Sequence, residues 1–271
     1  MFKHILIAHD LSQQADVALR RAAQLAEQHQ ARLTLLHVAE GQHSSASLKE
    51  LQQATEQVLG ERLSSYSHCP AQVLIRQGKA SEVLLQALAE EDYDLLVVGS
   101  HHKNKPELFT GTNLERIARH CQVPLLLACG QDSRAYQQAV LAIDSSLCAC
   151  KALACAYQLL PSTAQLHAVN IFSQPAKQSA SKAAAQLEIQ QALIGQLVDD
   201  ECSQLPSDGP SVSHEVVPGT LAGSLDQLIR QRRPQLLALG QHSRSVLVNA
   251  LLGSLPAHYL RQAPCDVLLV K

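Results

Sequence analysis

Long hydrophobic runs are missing from this chain of 271 residues, and that absence removes a first class of protein. The longest apolar stretches, Leu95 to Val98, Val123 to Cys129 and Val267 to Val270, fall far short of the roughly 20 residues that cross a bilayer. No membrane-spanning helix is expected. An excess of one charge is missing too: 22 Lys and Arg face 24 acids, with 13 bases against 15 acids through residue 135 and nine against nine after it. A nucleic-acid partner would need a basic field that does not exist here. The eight cysteines, at 69, 121, 129, 148, 150, 155, 202 and 265, form no C-x-x-C pair and keep no regular spacing, so they read as reduced thiols. Cys148, Cys150 and Cys155 come nearest to a ligand cluster, but helical phase puts 148 and 155 on one face and 150 on another, as for small apolar side chains of a helix. Met1 to Asp10 enters a strand-like alternation without the basic start, apolar stretch and cleavage site of a leader, and a cytoplasmic location is expected. Enzyme signatures are also lacking. There is no G-x4-G-K-[ST], G-x-S-x-G, H-E-x-x-H or G-x-G-x-x-G, and no nucleophile-and-base arrangement or pair of carboxylates stands out. The chain is expected to bind rather than to catalyse.

What is present is a globular composition, 46% apolar and 17% charged, in a length that suits about two domains. The two domains are copies of one plan. Ile5-Leu6-Ile7-Ala8-His9-Asp10 returns as Val140-Leu141-Ala142-Ile143-Asp144 at an offset of 134 between the aspartates. Gly78 returns as Gly219, and Leu95-Leu96-Val97-Val98-Gly99 as Leu236-Leu237-Ala238-Leu239-Gly240, both at 141. Gly111-Thr112 and Val123-Pro124-Leu125-Leu126-Leu127 return near Gly253-Ser254 and Cys265-Asp266-Val267-Leu268-Leu269 at 142. The drift falls in the polar middles, where insertions cost little. The copies meet near Ser133, giving expected domains 1–132 and 136–271.

Within each copy, short apolar runs alternate with amphipathic segments, an alternating β/α plan. The near-continuous apolar strands suit a buried parallel sheet. In the first copy, strands are expected near 3–9, 32–38, 71–76, 94–99 and 123–128, and helices near 13–29, 47–66, 80–91 and 112–121. A long Ala- and Gln-rich helix is expected near 178–204. Right-handed crossovers then give a doubly wound sheet with a ligand crevice at the carboxyl ends of its strands.

Strand ends therefore hold the candidate site. In the second copy, Gly240-Gln241-His242-Ser243-Arg244 ends the fourth strand, and nine residues lie between Ser243 and Gly253-Ser254 at the start of the last helix. The set reads as a two-piece phosphate cradle, in which glycine admits the phosphate and Ser254 adds a hydroxyl beside helix amides. It reads equally as a strand-ending turn and an N-cap. Asp144 faces the same crevice, where it would accept from a ribose, hold magnesium, or cap the following helix. Arg230, Arg232 and Arg233 are read as a solvated helix terminus complementing its dipole.

Gly240, His242, Arg244, Leu251, Leu252, Gly253, Ser254, Arg261 and Ala263-Pro264 resemble the signature of the universal stress protein family, G-x2-G-x9-G-[ST] with an aspartate ending the first strand. The resemblance covers nearly the whole chain in tandem. It implies two flavodoxin-like (Rossmann-like) α/β domains packed about a pseudo-twofold, with last strands that pair or abut, and an adenine nucleotide, ATP or AMP with or without Mg2+, in the second domain. Gly240, Ser243, Arg244, Gly253 and Ser254 would hold phosphates, Asp144 the ribose or a metal-bound phosphate, and backbone at Ile171 the adenine. Occupancy would order the loop from 240 to 253 and alter a surface read by an unknown protein partner. A homodimer is a further expectation.

Two departures weigh against binding. Ser243 stands at the motif's second glycine, where left-handed backbone would cost about 1 kcal/mol more than with glycine. In the first copy His102 stands there, Gly111 comes one residue early, and Pro106 and Glu107 occupy the loop, so that copy is expected to have lost its nucleotide and to keep Asp10 as a relic. The alternatives are a nucleotide-free scaffold with vestigial pockets, or metal binding by His9, Asp10, His37, His101 and His102.

Overall fold

The computed structural model describes residues 2–39, 41, 44–100, 111–173, 179–241 and 252–271. The first repeat runs β1 (His4–Ala8), α1 (Asp16–His29), β2 (Arg32–Ala39), α2 (Ser45–Ser64), β3 (Ala71–Gln77), α3 (Ala80–Glu90), β4 (Leu95–Gly99), α4 (Gly111–His120) and β5 (Leu125–Ala128). The second runs β6 (Gln138–Ala142), α5 (Leu147–Leu159), β7 (Gln165–Phe172), α6 (Ala180–Ser203), β8 (Ser211–Pro218), α7 (Leu221–Arg232), β9 (Leu236–Gly240), α8 (Ser254–Arg261) and β10 (Asp266–Val270). Two compact units result: Met1–Ala135 with Ala250–Leu252 and Leu260–Asp266, and Tyr136–Asn249 with Gly253–Tyr259 and Val267–Lys271.

Each unit is a doubly wound α/β sheet. In the first the strand order is β3-β2-β1-β4-β5 and every neighbouring pair is parallel. The second repeats it as β8-β7-β6-β9-β10, with β6 parallel to both β7 and β9 and β7 parallel to β8. Strands β1, β4, β5 and β10 are buried throughout, whereas the outer strands β3 and β8 are largely exposed or half-buried. Continuous apolar runs therefore sit in the middle of each sheet, and mixed sequences at β3 and β8. Helix α1 buries Ala18, Leu19, Ala22, Ala26 and their neighbours, the three-and-four spacing of one helical face.

Local chemistry sets the boundaries. Pro124 has no N–H, and β5 starts just after it. Gly78 and Gly219 end β3 and β8 with φ of 143° and 153°, and their amides donate to Ala39 and Phe172. Only glycine adopts that backbone readily, so the matched glycines mark the same bend in both copies.

Inside the first unit, the Asp266 carboxylate is almost wholly buried against Arg21, whose Nε donates to Oδ2 at 3.0 Å. The amides of Cys129 and Gly130 donate to Oδ1 at 2.8 and 2.7 Å. Arg21 also donates to the carbonyls of Asp132 and Arg134, so one guanidinium organises the segment that follows β5. None of the eight cysteines is in a disulfide. Burial raises the thiols of Cys155 and Cys129 to about 12, and the nearby Asp266 adds to the effect at Cys129. Among the described residues, no helix is long and apolar enough to cross a membrane.

Candidate functional site

The strand order changes direction between β1 and β4, and again between β6 and β9, which opens a crevice at the carboxyl ends of those strands. In the second unit, Ile143 continues the β6 ladder by donating to Val169 at 2.9 Å, and Asp144 follows at the crevice. Asp144 Oδ1 accepts from the amide of Ser146 at 2.9 Å, closing a turn through its own side chain. The cap of α5 is Ser146, whose Oγ accepts from Ala149 N at 3.2 Å. Asp144 thus sits one turn ahead of the helix without capping it.

Gly240 closes β9 directly against that helix. A Cβ here would lie 2.8 Å from both Ala149 N and the carbonyl carbon of Cys148, so only glycine lets β9 and α5 approach so closely. The next residue, Gln241, donates to Val270 at 2.7 Å, and its carbonyl receives the amide of Gly253 at 3.3 Å. Gly253 in turn accepts the first helical bond of α8 from Ala257 at 3.0 Å. A Cβ on Gly253 would meet the Gln241 carbonyl at 3.1 Å. Asp144, the α5 terminus, Gly240, Gln241 and Gly253 therefore form one contiguous rim.

Ile171 lies inside β7, opposite Val217. In a parallel strand, alternate residues direct both backbone groups to the same neighbour. Val169 faces β6, so Ile171 faces that side as well, beyond the end of β6, where the crevice opens.

These placements change one expected role. The Gly253 amide is directed at Gln241 rather than at a phosphate, and the amides of α8 that lack an intrahelical acceptor belong to Ser254 and Leu255, Pro256 having none. Ser254 is exposed at this terminus. Ser243, Arg244 and His242 lie outside the described residues, as do His101, His102, Pro106 and Glu107.

Residue-by-residue reading passed over Asn170, which is buried and donates through Nδ2 to the Ile143 carbonyl at 2.8 Å. Gln190 of α6 holds its Oδ1 at 3.1 Å. The first unit has the same device in other side chains: His37 Nδ1 donates to the His9 carbonyl at 2.9 Å. Asp10 repeats the turn of Asp144, accepting from Ser12 N at 2.9 Å. A polar residue at the sixth position of both strands, RLTLLHVA and QLHAVNIF, was the available signal.

His9 is fully engaged. Leu11, with a left-handed φ of 65°, donates its amide to His9 Nδ1 at 3.0 Å, which leaves the hydrogen on Nε2, 3.2 Å from Asp16 Oδ1. Arg62 donates to the same Asp16 oxygen at 2.9 Å. Burial holds the imidazole down at about 4, against the opposing pull of Asp16 and Asp10. With both ring nitrogens engaged, by Leu11 and Asp16, His9 is not placed as a metal ligand, and no metal-binding group of three His, Cys, Asp or Glu occurs among the described residues.

The parallel order and the crevices define the class: a tandem pair of doubly wound, flavodoxin-like α/β domains, each with an aspartate ending its first strand. The universal stress protein family profile matches residues 1–128 and again 135–271, and the chain belongs to that family in two copies. A universal stress protein A homolog of Haemophilus influenzae is 29% identical over 122 residues, 41% of this chain and 86% of that protein. A universal stress protein of Thermus aquaticus is 30% identical over 135 residues, 47% of this chain and 98% of its own length. The chain is similar in fold to a universal stress protein from Archaeoglobus fulgidus, with a TM-score of 0.69 over 99% of this chain and 98% of that one, at 18% identity. That likeness is one of fold.

Proposed function

We propose that the second repeat, taken as residues 136–271, binds an adenine nucleotide, ATP or AMP with or without Mg2+, and that the chain acts as a nucleotide-dependent regulator or adaptor in a stress response. The first repeat, 1–132, has lost its nucleotide in this reading. The supporting observation is the rim itself: the 2.8 Å clearance at Gly240 joins Asp144, the start of α5 and the Gln241–Gly253 link around one strand-end crevice. Ser254 and Leu255 offer amides and a hydroxyl to phosphate, and Ser243 and Arg244 complete the cradle in the intervening loop. Gly253 acts by being small, since any side chain would push Gln241 or α8 aside. Asp144 meets a ribose hydroxyl or phosphate-bound Mg2+, and the Ile171 backbone faces the adenine. Calorimetric titration with ATP and AMP tests this. Gly253→Val should abolish binding, and Ser254→Ala should weaken it by roughly tenfold, the worth of one charge-assisted hydrogen bond.

One observation favours the rival reading, a nucleotide-free scaffold: the Gly253 amide is already hydrogen-bonded within the chain. Under that reading millimolar ATP produces no heat and no shift in melting temperature, and Gly253→Val changes neither.

A further inference from the structure

Helix α6 is 24 residues long, yet its buried positions are confined to Ile194, Gly195 and Val198. The inner side is tightly seated: a Cβ on Gly195 would lie 2.9 Å from the His214 ring of β8, and Gln190 reaches in to Asn170. The opposite side carries large apolar groups into solvent, with Ile189 61% and Leu193 57% exposed. At 100° per residue, Lys182, Ala185, Ile189, Ala192, Leu193, Gln196 and Asp200 fall on one outward stripe, and every one of them is exposed. The stripe has a basic end, a middle of aliphatic and small residues followed by Gln196, and an acidic end.

The equivalent helix of the first repeat shows no such stripe. The exposed side of α2 carries Lys49, Gln52, Glu56, Gln57 and Glu61 alongside a single valine, Val58, and Gln52 and Gln57 donate to Glu56 and Glu61 one turn on, at 2.8 and 3.0 Å. Such a face satisfies itself in water. The α6 stripe leaves aliphatic side chains at i and i+4 uncovered.

We propose that two copies of this chain associate through α6, packed antiparallel about a twofold axis near residue 191. The stripe is complementary to its own inverse. The register that sets Ile189 of one copy against Leu193 of the other also sets Lys182 of one against Asp200 of the other, over about 27 Å of helix at 1.5 Å per residue. Antiparallel pairing also opposes the helix dipoles, and Ala185 and Ala192 let the backbones approach. A parallel pair would set Lys182 against Lys182 and Asp200 against Asp200. The sequence of the stripe therefore selects a self-complementary contact, as an isologous dimer requires. The stripe shares no residue with the proposed nucleotide site, and the contact needs no nucleotide.

Sedimentation of the full chain without nucleotide tests it. Wild type should reach a dimer, and Ile189→Glu combined with Leu193→Glu should raise the dimer Kd at least about tenfold, with an unchanged circular-dichroism melt confirming the fold. Lys182→Glu alone and Asp200→Lys alone should each weaken the dimer, and the two together should restore it. A wild-type monomer, a dimer indifferent to the paired Glu substitutions, or a charge swap that fails to restore association would each overturn the proposal.

Discussion

Asn170 and His37 occupy one position in two diverged copies, and each donates to the carbonyl that ends its repeat's first strand. A buried carbonyl left unpaired costs on the order of 1–3 kcal/mol, so the position keeps a donor even where the donor's identity has changed. Beside it the copies part. The residue before the strand-end aspartate is Ile143 in one and His9 in the other, and His9 is buried, neutral and joined to Asp16. Its folded value of about 4 lies below the ordinary 6.5, so unfolding takes up a proton between those values. The stability that His9 contributes is therefore whole above about pH 6.5 and declines as the pH falls toward 4. His9→Gln, which keeps a donor for Asp16 but cannot titrate, should flatten the fall in melting temperature across that window. A mutant slope equal to wild type would show that other groups govern it. The aspartates and glycines of the crevice were legible in the sequence because their chemistry does not depend on direction. The aim of the Gly253 amide was not, since it follows from where β9 leaves Gln241.

Elements were legible to within a few residues for a plain reason: buried parallel strands write themselves as unbroken apolar runs, as at Leu95–Gly99 and Leu236–Gly240. Their ends moved where local bonding intervened. Helix α1, expected from residue 13, starts at Asp16 because Ser12 first accepts the Ala15 amide. The α6 helix, expected over 178–204, spans 180–203, but its composition alone did not show which face the sheet would cover. Packing between β9 and α5 was likewise invisible, since it rests on a single missing Cβ. Gly240→Ala should cost about 1–3 kcal/mol, because the obstructing atoms are helix backbone and cannot turn aside. Thermal denaturation would read this as a drop of several degrees. An unchanged midpoint would mean that α5 can slide.

At the scale of the molecule, repetition in sequence does not give independence in space. Arg21 and Asp266, separated by 245 positions, meet inside the first unit, and both side chains are almost wholly buried. Arg21→Met should destabilise that unit by about 3 kcal/mol, because it takes the guanidinium from a buried carboxylate that also accepts from the Cys129 and Gly130 amides. Adding Asp266→Leu should recover part of the loss, as measured by denaturant unfolding.

The same pair governs how the protein comes into being. A chain emerging from the ribosome presents Arg21 early, yet the carboxylate that partners it is translated 245 positions later. The leading half must stay unfinished, its guanidinium hydrated, until residue 266 has been made. A message truncated before codon 266 should yield a polypeptide whose amino-terminal portion is readily digested by protease, although every codon for that portion has been read.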